Sequence, residues 1–241
     1  MDPLEPLRDI WVYLSASPLL WLTATLAAYL VGDALFQRAG GNPLLQPVAV
    51  AVAVLVLVLL VSGTSYEAYF DGAQFVHFLL GPATVALAVP LYAHWQQVRR
   101  AALPMLAALF AGSTTAVISA VAVALVLGAS SESVLSLAPK AVTTPVAMGI
   151  SQEIGGLPSL TAIVVILTGI VGAMTATPLL NLLGIRDFAA RGFATGVAAH
   201  GIGTARAFQV SELAGVFAGI GMGLNALATA ILAPLIISWL W

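Results

Sequence analysis

Long apolar runs without a charged residue follow one another along the chain, separated by short stretches that carry the charges. Each run is longer than the roughly 20 residues that a helix needs to cross a bilayer. This pattern predicts an all-α polytopic membrane protein. A β-barrel would instead alternate over about ten residues, which only the segment 49–61 imitates. The uncharged runs cover 10–32, 39–66, 72–98, 101–131, 154–185 and 213–241.

The run lengths and the positions of proline and glycine predict about seven transmembrane helices plus one re-entrant or broken segment. That segment, 135–152, lies between the fourth and fifth helices, and the sixth helix is expected to be interrupted. We expect a single membrane domain over 1–241, in which 1–16 is an N-terminal interfacial segment. The helices are predicted at 18–37, 45–62, 72–95, 100–128, 158–183, 190–210 and 213–240.

The composition agrees with this class and excludes others. Hydrophobic residues make up 61% and charged residues 7% of the 241 positions, and the mean hydropathy is +1.05. Soluble domains carry roughly a quarter charged residues, so this composition cannot build a water-exposed surface. The absence of cysteine excludes a disulfide framework and thiolate metal sites. The sequence has no phosphate-binding loop, metal-ligand spacing or nucleophile beside a base, so we expect neither an enzyme nor a cofactor.

The basic residues predict the orientation, because cytoplasmic loops are enriched in lysine and arginine. If the arginine loops are cytoplasmic, the acidic loops at Glu132 and Glu212 lie outside. The segment 135–156 must then enter and leave on the outer side as a re-entrant element. A full crossing is the alternative, and it would place the third arginine loop outside. The three loops hold Arg38, then Arg99 and Arg100, then Arg186 and Arg191.

Polar groups in the re-entrant segment are candidates for a substrate or ion path, because such groups are costly at membrane depth. Lys140 could bind an anion, pair with Glu153 or extend its ammonium to the interface. Thr143 and Thr144 precede a proline, so their hydroxyls could bind freed backbone groups or a ligand. Ser151 adds a polar group near the far end of the segment.

The second candidate region is the interruption expected at His200–Thr204. Gly201 and Gly203 permit unusual backbone angles, and a half-helix that begins near Thr204 would direct its free amides at the break. Arg206 would add a charge that suits a carboxylate, although it could instead form an ion pair. His200 could couple a proton or serve as a hydrogen-bonded structural group. The possible ion-pair partners of Arg206 are Glu153, Asp187 and Glu212.

Two further patterns concern symmetry and packing. The sequence Gly-Pro-Ala-Thr at 81–84 echoes Gly-Ile-Gly-Thr at 201–204, and paired interruptions in oppositely oriented halves are typical of secondary transporters. Gly81 and Thr84 therefore join the candidate site. Glycines at 215, 219 and 223 form a small-residue face typical of close helix packing, and Asn225 could bond across helices or bind a ligand.

Four blocks of the sequence resemble the LrgB/CidB family of bacterial membrane proteins, and the resemblance covers about residues 15–241. The family is named for an antiholin-like role, in which it works with an LrgA/CidA-type membrane partner to modulate murein hydrolase export and lysis. Relatives look like carriers of small monocarboxylates, among them the plant plastidal glycolate/glycerate translocator, whose C-terminal half is similar. The blocks are LLGPATVALAVPLY (79–92), PKAVTTPVAMGISQEIGGLPSLTA (139–162), GIRDFAARGFATGVAAHGIGTARAFQ (184–209) and AGVFAGIGMGLNALATAILAP (214–234).

These observations predict a carrier or facilitator of small monocarboxylates such as pyruvate, lactate, glycolate or glycerate, with a midplane site between broken helices. The alternative is an antiholin-like regulator that acts with an LrgA/CidA-type partner. We expect a homodimer in the bacterial cytoplasmic membrane, with no nucleic-acid partner and no metal. The candidate substrate-binding residues are Gly81, Thr84, Lys140, Thr143, Thr144, Ser151, His200, Gly201, Gly203, Thr204, Arg206 and Asn225, with Glu153 and His200 as coupling or ion-pair groups.

Overall fold

The computed structural model describes residues 17–86 and 88–240, apart from the side chains at positions 77, 80, 81, 84 and 88. The interfacial segment predicted at 1–16 lies outside the described residues. Across the described residues the chain is helical and has no β-strand. The prediction of an all-α membrane protein is confirmed, while the seven predicted crossings are not confirmed. Four described helices are long and apolar enough to cross a membrane: Pro18–Arg38, Ala102–Val126, Pro158–Leu182 and Glu212–Leu240.

The chain divides into two compact units, Met1–Ala86 and Leu87–Trp241, each described by itself below. That these two units form a single membrane domain stays a prediction. In chain order the helices are α1 (Pro18–Arg38), α2 (Pro47–Ser62), α3 (Tyr66–Phe78), α4 (Leu80–Ala86), α5 (Ala88–Ala93), α6 (Trp95–Arg100), α7 (Ala102–Val126), α8 (Ser131–Leu137), α9 (Thr144–Glu153), α10 (Pro158–Leu182), α11 (Phe188–Val210) and α12 (Glu212–Leu240), with a 3₁₀ turn at Pro43–Leu45.

Close contacts between helices hold the first unit together. A Cβ placed on Gly32 of α1 would lie 2.6 Å from the carbonyl oxygen of Pro47, so only glycine lets α1 and α2 approach this closely. Trp21 is 1% exposed, and its ring meets Tyr69 of α3 edge-on at 5.8 Å between centroids. An aromatic edge-to-face pair of this kind adds to the apolar burial that holds α1 against α3.

The region predicted as one helix at 72–95 is divided in the structure. α3 ends at Phe78, Leu79 lies in a turn, and α4 and α5 are only 7 and 6 residues long. Proline is tolerated in the first turn of a helix, which is where Pro82 lies in α4. The interruption predicted at 81–84 is therefore wrong in position, because these residues lie inside α4 and the break precedes them.

The second unit contains three of the long helices, α7, α10 and α12. At one end of it lie the arginines that precede α7 and α11. The segment before α7 and the first turns of α11 and α12 meet there, because Val98, Ala189 and Val216 pack in one apolar cluster. We call this the arginine end of the unit. The opposite end, where α7 stops before Glu132, is called the Glu132 end.

α11 folds back on itself, although the sequence predicts one interrupted crossing here. Ala199 and His200 have non-helical angles, with φ 40° and ψ −135° at His200. In a continuous helix Arg191 and Arg206 would be about 22 Å apart, yet both line one small cavity. The structure therefore contains two antiparallel arms, 188–198 and 201–210. Each arm is about 15 Å long, half of the hydrocarbon thickness.

This turn reverses the direction that the sequence predicts for α12. Glu212 lies at the arginine end, where its Oε1 is 3.5 Å from Nε2 of His94. Near the other end of α12, Ile237 packs with Val121 and Val134 at the Glu132 end. The predicted position of Glu212 on the side opposite the arginines is wrong, because the returning arm of α11 brings the chain back before α12 begins.

The segment with α8 and α9 enters and leaves from the Glu132 end. Its two ends meet there, because the amide of Leu157 donates to the hydroxyl of Ser136 over 2.7 Å. Its middle reaches the interior, where the carbonyl of Ala141 accepts from Asn225, half-way along α12. The two fold-back segments thus approach each other from opposite ends of the unit.

Candidate functional site

The fold-back segments meet around the fully buried side chain of Asn225. Its amide nitrogen donates to the carbonyl of Val197 over 2.9 Å and to that of Ala141 over 3.1 Å. Its amide oxygen accepts from the hydroxyls of Ser113, at 2.6 Å, and Thr229, at 3.1 Å. Both donors and both acceptor positions of the amide are used. We call these residues the Asn225 cluster, and they join α7, α12 and both fold-back segments.

His200 forms the tip of α11 and is 4% exposed. Its Nε2 lies 3.0 Å from the carbonyl oxygen of Val165. Because a carbonyl can only accept, this contact requires the proton on Nε2. The ring fits against α10 only because position 169 is glycine, where a Cβ would lie 2.6 Å from the ring. The geometry gives His200 a structural hydrogen bond, and its coupling role stays a prediction.

Lys140 lies beside this junction and lines a cavity of about 750 Å³ in the second unit. The ammonium has no hydrogen bond or ion pair with any described residue, so the predicted pairing with Glu153 does not form. Glu153 is exposed at the last residue of α9. The walls are mostly alanine and other apolar side chains from α7 and the first arm of α11. Lys140 is thus a cation at the edge of an apolar space.

Arg206 does not join Lys140, although the sequence places both in one site. Arg206 is 8% exposed and donates to Oε1 of Gln209 over 3.2 Å. It lines a cavity of about 20 Å³ with Arg191 and Thr195, between the two arms of α11 and near α10. The returning arm carries Arg206 towards the arginine end, away from the tip. The sequence cannot show this, because adjacency to a break does not fix the direction of the chain after it.

Some hydroxyl groups of the candidate set form hydrogen bonds within the protein, and others do not. Ser151 is buried and lies 2.7 Å from the Thr161 hydroxyl, which is itself 2.9 Å from the Ser136 carbonyl. The Thr204 hydroxyl donates to the His200 carbonyl over 2.8 Å. Thr143 and Thr144 are half-buried and form no side-chain hydrogen bond with the described residues. Among the described hydroxyls of the set, those of Thr143 and Thr144 are therefore the ones without a hydrogen-bond partner.

The glycines of the candidate set also have different surroundings. Gly203 is buried against the first arm of α11, where a Cβ would lie 3.0 Å from the Thr195 carbonyl oxygen. Gly201 is more open, because the nearest atom to an added Cβ is the sulfur of Met222 at 3.9 Å. The surroundings of Gly81 and Thr84 lie outside the described side chains, so their assignment to the site stays a prediction.

Several residues at the junction are not in the predicted set. Ser113 binds Asn225, Thr161 joins α8 and α9 to α10, and Gly169 accommodates the His200 ring. Ser113 stands in the polar group Gly-Ser-Thr-Thr at 112–115, inside an otherwise apolar run, and that signal could have identified it. Among the residues that the structure describes, no three histidines, cysteines or carboxylates are placed to hold a metal ion.

The chain is similar to known proteins along nearly its whole length. The model of the LrgB-like family matches residues 25–239. The uncharacterized protein YxaC of Bacillus subtilis is 35% identical over 90% of this chain and 94% of its own length. The holin-like protein CidB of Staphylococcus epidermidis is 31% identical over 93% and 97%. The antiholin-like protein LrgB of Bacillus cereus is 29% identical over 91% and 95%. No solved structure matches the fold.

Proposed function

The chain belongs to the LrgB-like family, and from this membership we propose that it acts in a holin- or antiholin-like role. It is a multi-pass membrane protein, and we place it in the bacterial cytoplasmic membrane. There it would modulate murein hydrolase export and lysis together with an LrgA/CidA-type partner. The observation that carries this proposal is the similarity, along nearly the whole chain, to relatives named holin-like and antiholin-like. The names of these relatives do not describe an enzymatic activity.

The test is a lysis assay in a bacterium that lacks its own LrgB and CidB relatives. The chain is expressed alone, with an LrgA/CidA-type partner, and in matched strains that carry the partner or neither. Extracellular murein hydrolase activity and the rate of autolysis are the readouts. We expect both to change most when the two proteins are present together. Equal lysis in all four strains, with the protein detected in the membrane, would contradict the proposal.

A second candidate function, transport of small monocarboxylates, is favoured by one feature of the site. Lys140 lies where two half-spanning segments meet from opposite ends, next to the half-buried hydroxyls of Thr143 and Thr144. α9 begins at Thr144 and the returning arm of α11 begins at Gly201, so two sets of free helix amides lie at this junction. Inverted fold-back segments with such helix ends are typical of carriers.

The carrier candidate predicts uptake of labelled pyruvate, lactate, glycolate or glycerate into proteoliposomes. Replacing Lys140 with glutamine should reduce uptake about tenfold or more, because the carboxylate loses its cation. Lys140→Arg keeps the charge and is the matched control. No uptake of any of the four acids, with or without an LrgA/CidA-type partner, would exclude this function.

Lys140→Gln also separates the two functions. A regulator without a substrate cycle should keep its effect on lysis in this variant, because the Lys140 ammonium forms no hydrogen bond or ion pair with a described residue. A carrier should lose uptake. If lysis control and uptake are lost together, the lysis phenotype follows from transport and the purely regulatory role is wrong.

A further inference from the structure

A ligand of only two or three carbons would fill one part of the long and mostly apolar cavity that Lys140 lines. The cavity extends along the first arm of α11 from Asp187 to Ala198, which corresponds to about 16 Å of helix. Its volume of about 750 Å³ is in the range of pockets that bind drug-sized molecules. A three-carbon acid bound at Lys140 would leave most of this length unfilled.

The polar groups of the cavity are separated along its length. Lys140 and Ala198 line the end next to the Asn225 cluster, while Asp187 lines the end near the start of α7. Asp187 is already used in part, because its carboxylate accepts from the Ala190 amide over 2.7 Å as the cap of α11. An anionic group is attracted by Lys140 and repelled by Asp187, so the charges fix which end holds the head of an anionic ligand.

The walls between these ends are apolar. From α7 they include Met105 and Ala108, and from α11 Phe193, Ala194 and Val197. Apart from the hydroxyl of Thr115, the side chains of these walls offer no hydrogen bond to a hydroxyl or keto group, but they can remove methylene groups from water. Each methylene buried in this way contributes about 0.8 kcal/mol, close to a fourfold change in affinity.

We propose that this cavity binds an aliphatic monocarboxylate, with the carboxylate at Lys140 and the chain along the first arm of α11. This inference deepens the carrier candidate by naming a longer, apolar class of acid as the ligand of the same site. An anionic head on an aliphatic chain is also the chemistry of an anionic phospholipid. The proposal commits to the free acid, and the phospholipid is an outcome of the test.

The test measures binding of labelled octanoate to the protein in nanodiscs of zwitterionic lipid, with competition by acetate, butyrate, hexanoate and octanoate. We expect the affinity to rise about two- to fourfold for each added methylene. Lys140→Gln should weaken all the acids about tenfold or more. Ala194→Leu fills the space for the chain, so it should weaken octanoate by about tenfold or more and leave acetate unchanged. Ala205→Leu is the matched control, because Ala205 is also an exposed alanine of α11 but lies outside this cavity.

Three results would overturn the proposal: no binding of octanoate, equal affinity for all chain lengths, or displacement only by phosphatidylglycerol in the nanodisc. The carrier candidate can fail separately. Equal affinities together with pyruvate uptake would reject the longer ligand and keep the carrier. A clear dependence of affinity on chain length, without uptake of octanoate or of the four small acids, would keep the binding site and reject transport.

Discussion

At the scale of single residues, the buried polar groups of this protein mainly hold the backbone in place. The sequence makes Asn225 and His200 candidates for ligand binding, yet their side chains are bonded to main-chain carbonyls. The breaks in α11 and before α9 leave carbonyls without helical partners, and a buried carbonyl needs a donor. Asn225 supplies donors to both breaks, whereas His200 joins the tip of α11 to a carbonyl of the continuous helix α10. Lys140, Thr143 and Thr144 are the candidates whose described side chains keep unbonded polar groups.

Replacing Asn225 with leucine should destabilise the second unit. The change leaves the carbonyls of Ala141 and Val197 without donors and the Ser113 hydroxyl without its acceptor. We expect a loss of about 2–4 kcal/mol in the free energy of unfolding, measured in detergent. Ser119→Ala is the control, since Ser119 is exposed and bonds only within its own helix. Equal stability of the two variants would show that the Asn225 cluster does not hold the segments together.

A methyl group at position 169 should disturb the tip of α11. In Gly169→Ala the new Cβ would lie 2.6 Å from the His200 ring, so the ring must move away from the Val165 carbonyl. We expect lower thermal stability and faster proteolysis near 199–201. Gly149→Ala is matched to it, because a Cβ there meets nothing within 4 Å. Unchanged protection of the tip in Gly169→Ala would argue against this packing.

At the scale of elements, glycine on α11 sets the distance between α11 and α12. A Cβ on Gly192 would collide with the carbonyl of Ala214, and one on Gly196 with that of Ala218. The sequence places the small-residue face on α12 at 215, 219 and 223, and the structure gives this face only in part. Gly215 packs against the Phe208 ring, but Gly223 is exposed with open space beside it. The periodicity of glycine indicates close packing without showing which partner carries the glycines.

Gly196→Ala should therefore lower the free energy of unfolding by about 1–3 kcal/mol, because the added methyl group meets backbone atoms, which cannot rotate away as a side chain can. Gly223→Ala should leave stability unchanged or slightly raised, since alanine favours helix and the added methyl group meets no atom. Thermal unfolding of both variants in the same detergent compares them directly. Similar stability of the two variants would contradict a close contact between Gly196 and the Ala218 carbonyl.

The lengths of the long helices could be predicted well from the sequence. The spans 100–128, 158–183 and 213–240 correspond to Ala102–Val126, Pro158–Leu182 and Glu212–Leu240. Charged residues cannot remain at membrane depth without cost, so their positions limit each span. The fold-back of α11 could not be predicted, because a kinked crossing and a hairpin of two half-length arms have the same apolar sequence. Only the tertiary contacts of Gly203 and Arg206 distinguish them.

At the scale of the whole molecule, the structure and the sequence-based topology differ in the direction in which α12 crosses the membrane. The chain contains no cysteine, so single cysteines can be introduced and labelled without a background signal. We expect Glu212→Cys and Arg186→Cys to react with a membrane-impermeant thiol reagent from the same side. Glu132→Cys should react from the other side. The sequence-based topology instead groups Glu212 with Glu132, so labelling of these two from one side would contradict the fold-back of α11.

The two fold-back segments also have a consequence for how the protein is made. An arm of about 15 Å cannot stay in the bilayer alone, because its tip would leave backbone groups unsatisfied among the lipid chains. Two of those groups, the carbonyls of Ala141 and Val197, accept from Asn225, which lies 25 positions after His200 and is synthesised later. The long helices α7 and α10 can therefore be inserted in order during translation. Both hairpins must wait at the membrane surface until α12 arrives, and the interior of the protein is completed by its last helix.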